Sequence, residues 1–159
     1  MIRVCIQGLG FVGSAMAAAV ASAKDQKDNF VYEVIGVELP SKAGQMRVDS
    51  INNGKFPFST VDNNLKLSLK KAKERGNLYA TTESNCYAEA KVVVVDIHLD
   101  IPYLDESPTL DYKGFISAIK TIGREIRPGT LVLIETTVPP GTCEKIVVPT
   151  LECELIKRR

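Results

Sequence analysis

The chain has 159 residues, of which 45% are hydrophobic and 25% charged, and its formal net charge is +1. That length suits one domain whose core buries about two-thirds of the surface of the unfolded chain. The near-neutral charge gives no electrostatic reason to expect nucleic acid or an anionic membrane as partner, and no apolar run approaches the ~20 residues of a membrane span.

In chain order, Ile2–Ile6 has the composition of a short buried strand, and it runs into Gly8-Leu9-Gly10-Phe11-Val12-Gly13. A helix follows over Phe11–Ala23. This strand, glycine turn and helix form the layout that holds a dinucleotide pyrophosphate. Gly8 permits the tight turn, Gly10 lets the phosphates approach the backbone, and Gly13 lets the helix pack on the strand. The N-terminus of the helix adds unpaired N–H groups and a partial positive charge.

A polar loop at 24–29 leads to a second strand, Val31–Val37, with Glu38 directly after it. A carboxylate there can accept two hydrogen bonds from an adenosine ribose diol. It also repels a 2′-phosphate, which favours NAD over NADP. Lys42 is close enough in sequence either to pair with the cofactor or to be solvated. A helix over Ser41–Asn52 stops at Asn53-Gly54, and Pro57 keeps the next segment out of helix.

Asn64–Arg75 has helical spacing and ends at Gly76. Leu78–Thr81 reads as a strand, Ser84–Ala90 as helix, and Val92–Val95 as a strand covered on both faces. Asp96, His98 and Asp100 follow on one face. They could hold a metal, but the pattern is better read as a polar rim, and no metal is assigned. Tyr112–Ile126 is helical, and Leu131–Ile134 is another fully apolar strand.

Glu135-Thr136-Thr137 leaves that strand, and a last helix starts near Gly141-Thr142, with Thr142 as N-cap and Pro149 as a kink or restart. Cys143 lies in its first turn without an evident base, so it is not assigned a catalytic role. The N-terminus lacks a signal-peptide layout. The four cysteines (Cys5, Cys86, Cys143, Cys153) lack C-x-x-C spacing, which fits free thiols in a reducing, cytoplasmic setting. Strands alternating with helices imply an α/β fold, a parallel sheet wound through right-handed crossovers with its ligand beyond the carboxyl ends of the strands.

Several segments, in order, resemble the amino-terminal domain of the UDP-glucose/GDP-mannose dehydrogenase family of nucleotide-sugar 6-dehydrogenases. Gly8–Gly13 resembles its G-x-G-[FY]-V-G turn, Gly36-Val37-Glu38 its G-x-D, and Ile51–Phe58 its I-N-x-G-x-x-P-[IF] segment. Leu78–Thr82 resembles L-x-A-T, and Glu135–Thr142 resembles [EK]-S-T-V-x-x-G-T, the most specific of the set.

The resemblance implies a Rossmann-like doubly wound domain over residues 1–159 that binds NAD. It places Phe11 in the glycine turn, Val12 over the pyrophosphate and Thr137 at the cofactor, and Glu38 replaces the usual aspartate. Ile97-His98-Leu99-Asp100 departs from the family's V-P-T-P-like stretch.

The resemblance also implies a central helix, a second nucleotide-sugar domain with a catalytic cysteine and lysine, and homo-oligomers of the full-length protein. None of these lies in this chain. The implied reaction oxidises a sugar C6 alcohol twice, through an aldehyde and a cysteine thioester, to the uronate. Other readings of the residues are a Rossmann dehydrogenase of the 3-hydroxyacid or 6-phosphogluconate type, a non-catalytic NAD-binding module, and an α/β domain without nucleotide.

Overall fold

The computed structural model describes residues 1–99 and 111–158. Its strands are β1 (Ile2–Gln7), β2 (Tyr32–Val37), β3 (Leu78–Thr81), β4 (Val92–Val95) and β5 (Leu131–Ile134). The helices are α1 (Phe11–Ala21), α2 (Lys42–Asn52), α3 (Asn63–Arg75), α4 (Lys113–Glu125) and α5 (Val148–Ile156). The strands form one sheet, every neighbouring pair parallel, in the order β3-β2-β1-β4-β5. The strand order reverses direction between β1 and β4, the position at which such sheets open a crevice for ligand.

The alternation of side chains along each strand divides the core in two. Val4, Ile6, Val34 and Val94 face α1 and α3, where Ala17, Ala18, Leu69 and Ala72 are buried. Cys5, Ile35, Val93 and Val95 face the other way, onto Phe115, Ile119 and Ile122 of α4. The alanines of α1 let that helix lie close to the sheet. Two caps fix helix starts: Ser41 Oγ accepts the Gly44 N–H, and Asp62 Oδ1 accepts the Leu65 N–H.

Most expected boundaries agree with the structure to within a residue or two, and three details differ. The first helix ends at Ala21 rather than Ala23, because Lys24 bridges to Phe30 and starts the approach to β2. Thr142 is not an N-cap: its backbone is already helical, and its hydroxyl lies 3.4 Å from the Tyr112 hydroxyl. The chain enters α5 through a wide π turn, Cys143–Val147, which places Pro149 in the first turn of α5, where its missing N–H costs nothing.

β5, fully apolar in sequence, is an edge strand with Leu131 53% and Leu133 38% exposed. Among the described residues no helix is long and apolar enough to cross a membrane.

Candidate functional site

At the carboxyl ends of β1, β2 and β4 the chain leaves a cleft of about 440 Å³. The glycine turn forms its floor. Gly8 has φ +96°, and a Cβ there would lie 2.2 Å from the Asp96 carbonyl oxygen. The turn is anchored on both sides, with the Gly8 N–H bonded to Val37 O and the Asp96 N–H to Gln7 O. A Cβ on Gly13 would stand 1.9 Å from Gly8 O, so only glycine lets α1 begin this close to the turn. Leu9, between the first two glycines, is fully buried and inserts its side chain where Gly36 of β2 leaves room; a Cβ on Gly36 would be 2.6 Å from Leu9 Cδ2.

The surroundings of Gly10 fit a dinucleotide. A Cβ there would meet nothing within 4 Å, and Gly10 opens on the cleft. Gly10 is also the N-cap of α1, no side chain caps the helix, and its first turn carries no acidic residue. Its leading N–H groups are therefore left for an anion.

Glu38 follows β2 and is 8% exposed. Its Oε2 accepts the Leu9 N–H at 3.0 Å and Arg47 Nη1 at 2.9 Å, and its Oε1 accepts the Leu39 N–H at 2.9 Å. An ionised carboxylate offers about four acceptor positions. Three are taken, so one remains for a ribose hydroxyl, and a two-pronged grip on the diol requires Arg47 to yield. Arg47 also stacks its guanidinium 5.6 Å from the centre of the Phe58 ring. Phe58 belongs to a trio with Phe56 and Phe11, and the Phe11–Phe56 centroids are 5.2 Å apart.

Asp96 lines the cleft beside the turn. Burial, and then the nearby Glu135 carboxylate, push its pKa up, which lessens the charge set against an incoming phosphate. His98 lines the same cleft, while Asp100 lies outside the described residues. No group of three metal-ligating side chains occurs among the described residues.

The structure gathers Gly8, Gly10, Phe11 and Glu38 around the cleft, with Gly13 beneath them and Val12 exposed in the first turn of α1. Lys42 is exposed and does not line the cleft; Arg47, one helical turn further along α2, reaches Glu38 instead. Thr137 is exposed beyond β5. Its neighbour Thr136 is buried and structural: its hydroxyl accepts the Ile97 N–H at 2.9 Å and donates to Val95 O.

Comparison with known proteins agrees with this geometry. A sequence model of the UDP-glucose/GDP-mannose dehydrogenase family, NAD binding domain, matches residues 2–158. UDP-N-acetyl-D-mannosamine dehydrogenase of Methanococcus vannielii is 33% identical over 144 residues, covering 91% of this chain and 30% of that protein. NDP-N-acetyl-D-galactosaminuronic acid dehydrogenase of Ralstonia nicotianae is 32% identical over 144 residues, covering 90% and 29%.

Among solved structures, NDP-N-acetyl-D-galactosaminuronic acid dehydrogenase of Methanosarcina mazei superposes with a TM-score of 0.85 at 25% identity, over 97% of this chain and 31% of that one. GDP-mannose dehydrogenase of Pseudomonas aeruginosa gives a TM-score of 0.77 at 28% identity, over 96% and 32%. The chain thus spans about a third of the length of the proteins it matches. It belongs to the UDP-glucose/GDP-mannose dehydrogenase family, as its NAD-binding domain.

Proposed function

We propose, with membership of that family as the premise, that this chain is the NAD-holding part of a nucleotide-sugar 6-dehydrogenase. The whole enzyme would oxidise the C6 alcohol of a UDP- or GDP-linked sugar to the uronate. The observation that carries this reading is the open backbone at Gly10 beside the uncapped N-terminus of α1, with the buried Glu38 carboxylate on one flank.

Each residue's part follows from its surroundings. The N–H groups at the start of α1 hold the pyrophosphate, and Gly8 and Gly13 keep the turn close enough for them to do so. Val12 lies over the pyrophosphate. Glu38 takes a hydroxyl of the adenosine ribose, and Arg47 holds that carboxylate in place. Thr137 stands at the exit of β5, on the nicotinamide side. NAD accepts hydride when bound; the protein's share here is binding and orientation.

The sugar-binding residues, the catalytic cysteine and the contacts between subunits would come from a second domain and a central helix. The exposed apolar face of β5, at Leu131 and Leu133, is consistent with further protein packing there. Two measurements test the reading. NAD at about a hundred times its dissociation constant should stabilise the 159-residue chain by about 2.7 kcal/mol in thermal unfolding. The same chain with NAD and UDP- or GDP-sugars should form no reduced nicotinamide, whereas a longer protein carrying the second domain should. An absent thermal shift, or turnover by residues 1–159 alone, refutes it.

A further inference from the structure

Beside the nucleotide cleft lies a second recess of about 370 Å³, and Gln7, Glu38, Leu39, Gly114 and Ala118 line both. Gln7 is the unexpected member. It ends β1 after the apolar run Val4–Ile6, is 6% exposed, and carries a primary amide with two donors and two acceptor lone pairs. Such a group is costly to bury unless it is bonded.

Half of the amide is accounted for within the fold. Its Oε1 accepts the hydroxyl of Tyr87, a fully buried residue on the 3₁₀ helix Ser84–Glu89. Burial pushes the Tyr87 pKa well up, so the phenol stays a proton donor. The amide nitrogen has no hydrogen-bond partner among the described residues. No enclosed side-chain nitrogen or oxygen among those residues lacks a partner. The nitrogen must therefore be reachable from the cleft. Because Tyr87 holds the oxygen, the amide offers the cleft donors only.

The walls around this donor suit a flat ring. Leu39 provides an apolar side. On α4, Gly114 and Ala118 present almost no side chain, and a Cβ added to Gly114 would meet nothing within 4 Å. Glu38 adjoins the slot. Glu38 and these walls border one shared space, which leaves room for a base beside a ribose held on Glu38.

We propose that Gln7, oriented by Tyr87, reads the adenine of the cofactor by donating its amide N–H to one ring nitrogen. Gln7 is then a base-recognising residue and Tyr87 a positioning residue. The inference rests on the reading that Glu38 takes the adenosine ribose. It goes beyond that reading by assigning a polar contact to a base otherwise held by shape and apolar surface.

The test uses ADP and its 1-deaza, 3-deaza and 7-deaza analogues, each lacking one ring-nitrogen acceptor, titrated calorimetrically into the chain. The wild type should bind one analogue about 5-fold more weakly than ADP and the other two as ADP, the size of one neutral hydrogen bond. Gln7→Leu should bind ADP more weakly by a similar factor and lose the discrimination. Tyr87→Phe, which keeps Gln7 but frees its amide to turn, should reduce the discrimination, an effect that loss of packing alone would not give.

If all three analogues bind the wild type as ADP does, the inference is overturned. The same holds if Gln7→Leu keeps the preference; should that variant not fold, an undiminished preference in Tyr87→Phe overturns it. If the wild type does not bind ADP, the ribose reading at Glu38 fails, and the inference with it.

Discussion

The two sides of the cleft are built differently. On the β1–β2 side the glycine turn has no spare space, Leu9 is fixed against Gly36, and Glu38 is held by two backbone N–H groups and Arg47. On the β4–β5 side, Thr137 is exposed, and Leu131 and Leu133 border an open recess of about 250 Å³ with Met16, Val20 and Tyr32. The β1–β2 side is closely packed by residues of this chain. The far side keeps its backbone pairing and its α4 contacts but leaves an apolar face of the sheet uncovered.

Gly8→Ala should have the largest effect on this contrast. It forces a side chain onto a backbone with φ +96° and into the Asp96 carbonyl, at a cost of about 2–5 kcal/mol. Urea denaturation measures this, and a cost under about 1 kcal/mol would mean that the turn has slack. Glu38→Ala comes next. It removes three hydrogen bonds from a buried carboxylate and should cost about 2–3 kcal/mol of stability, together with most of the NAD affinity. Arg47→Ala should cost less than half as much, because that side chain is 35% exposed.

A fourth test addresses the other side. Between α4 and α5, Glu154 accepts from Lys157 Nζ at 2.7 Å and Arg124 Nε at 3.0 Å. Lys157, and then Arg124, hold its carboxyl below the usual carboxylate range. The stability this gives is present above the unfolded-state pKa and is lost as pH falls through the lowered folded-state value. Thermal melts through the acid range should therefore show a steeper loss for wild type than for Glu154→Gln; parallel curves would remove Glu154 from the account.

The smallest effect is expected at the edge. Leu131→Ser should change the stability of this chain by no more than about 1 kcal/mol, because about half of the side chain is already in solvent. A large loss would show that the β5 face is more tightly packed than it looks.

The parts of this molecule legible in the sequence are those fixed by local rules. β3, β4 and β5 have the expected bounds, because short apolar runs between turn signals leave few alternatives. The glycine turn and Glu38 were found through their places after β1 and β2. Lys42 drew attention by its nearness to Glu38 in sequence, whereas Arg47, the residue of α2 that bonds Glu38, was not singled out. The signal was present: with Ser41 as N-cap, Arg47 falls three residues after buried Gly44, on the face of α2 turned toward β2. Thr142 misled because Gly141 before a hydroxyl suggests a cap, whereas a wide turn had to form there to accommodate Pro149. The exposure of β5 and the Gln7–Tyr87 pair depend on residues far apart in the chain, which no local pattern records.

The seating of Leu9 against Gly36 also bears on time. A phosphate loop that must close around its ligand spends ordering entropy on every binding event and inserts a slow step into association. Here the loop's shape is set by a leucine packed from below, by contacts within the fold itself. Cofactor capture then needs only encounter and alignment, so its observed rate should rise linearly with NAD concentration, without a plateau. A cradle held in this way neither waits to form nor has to unfold to let go.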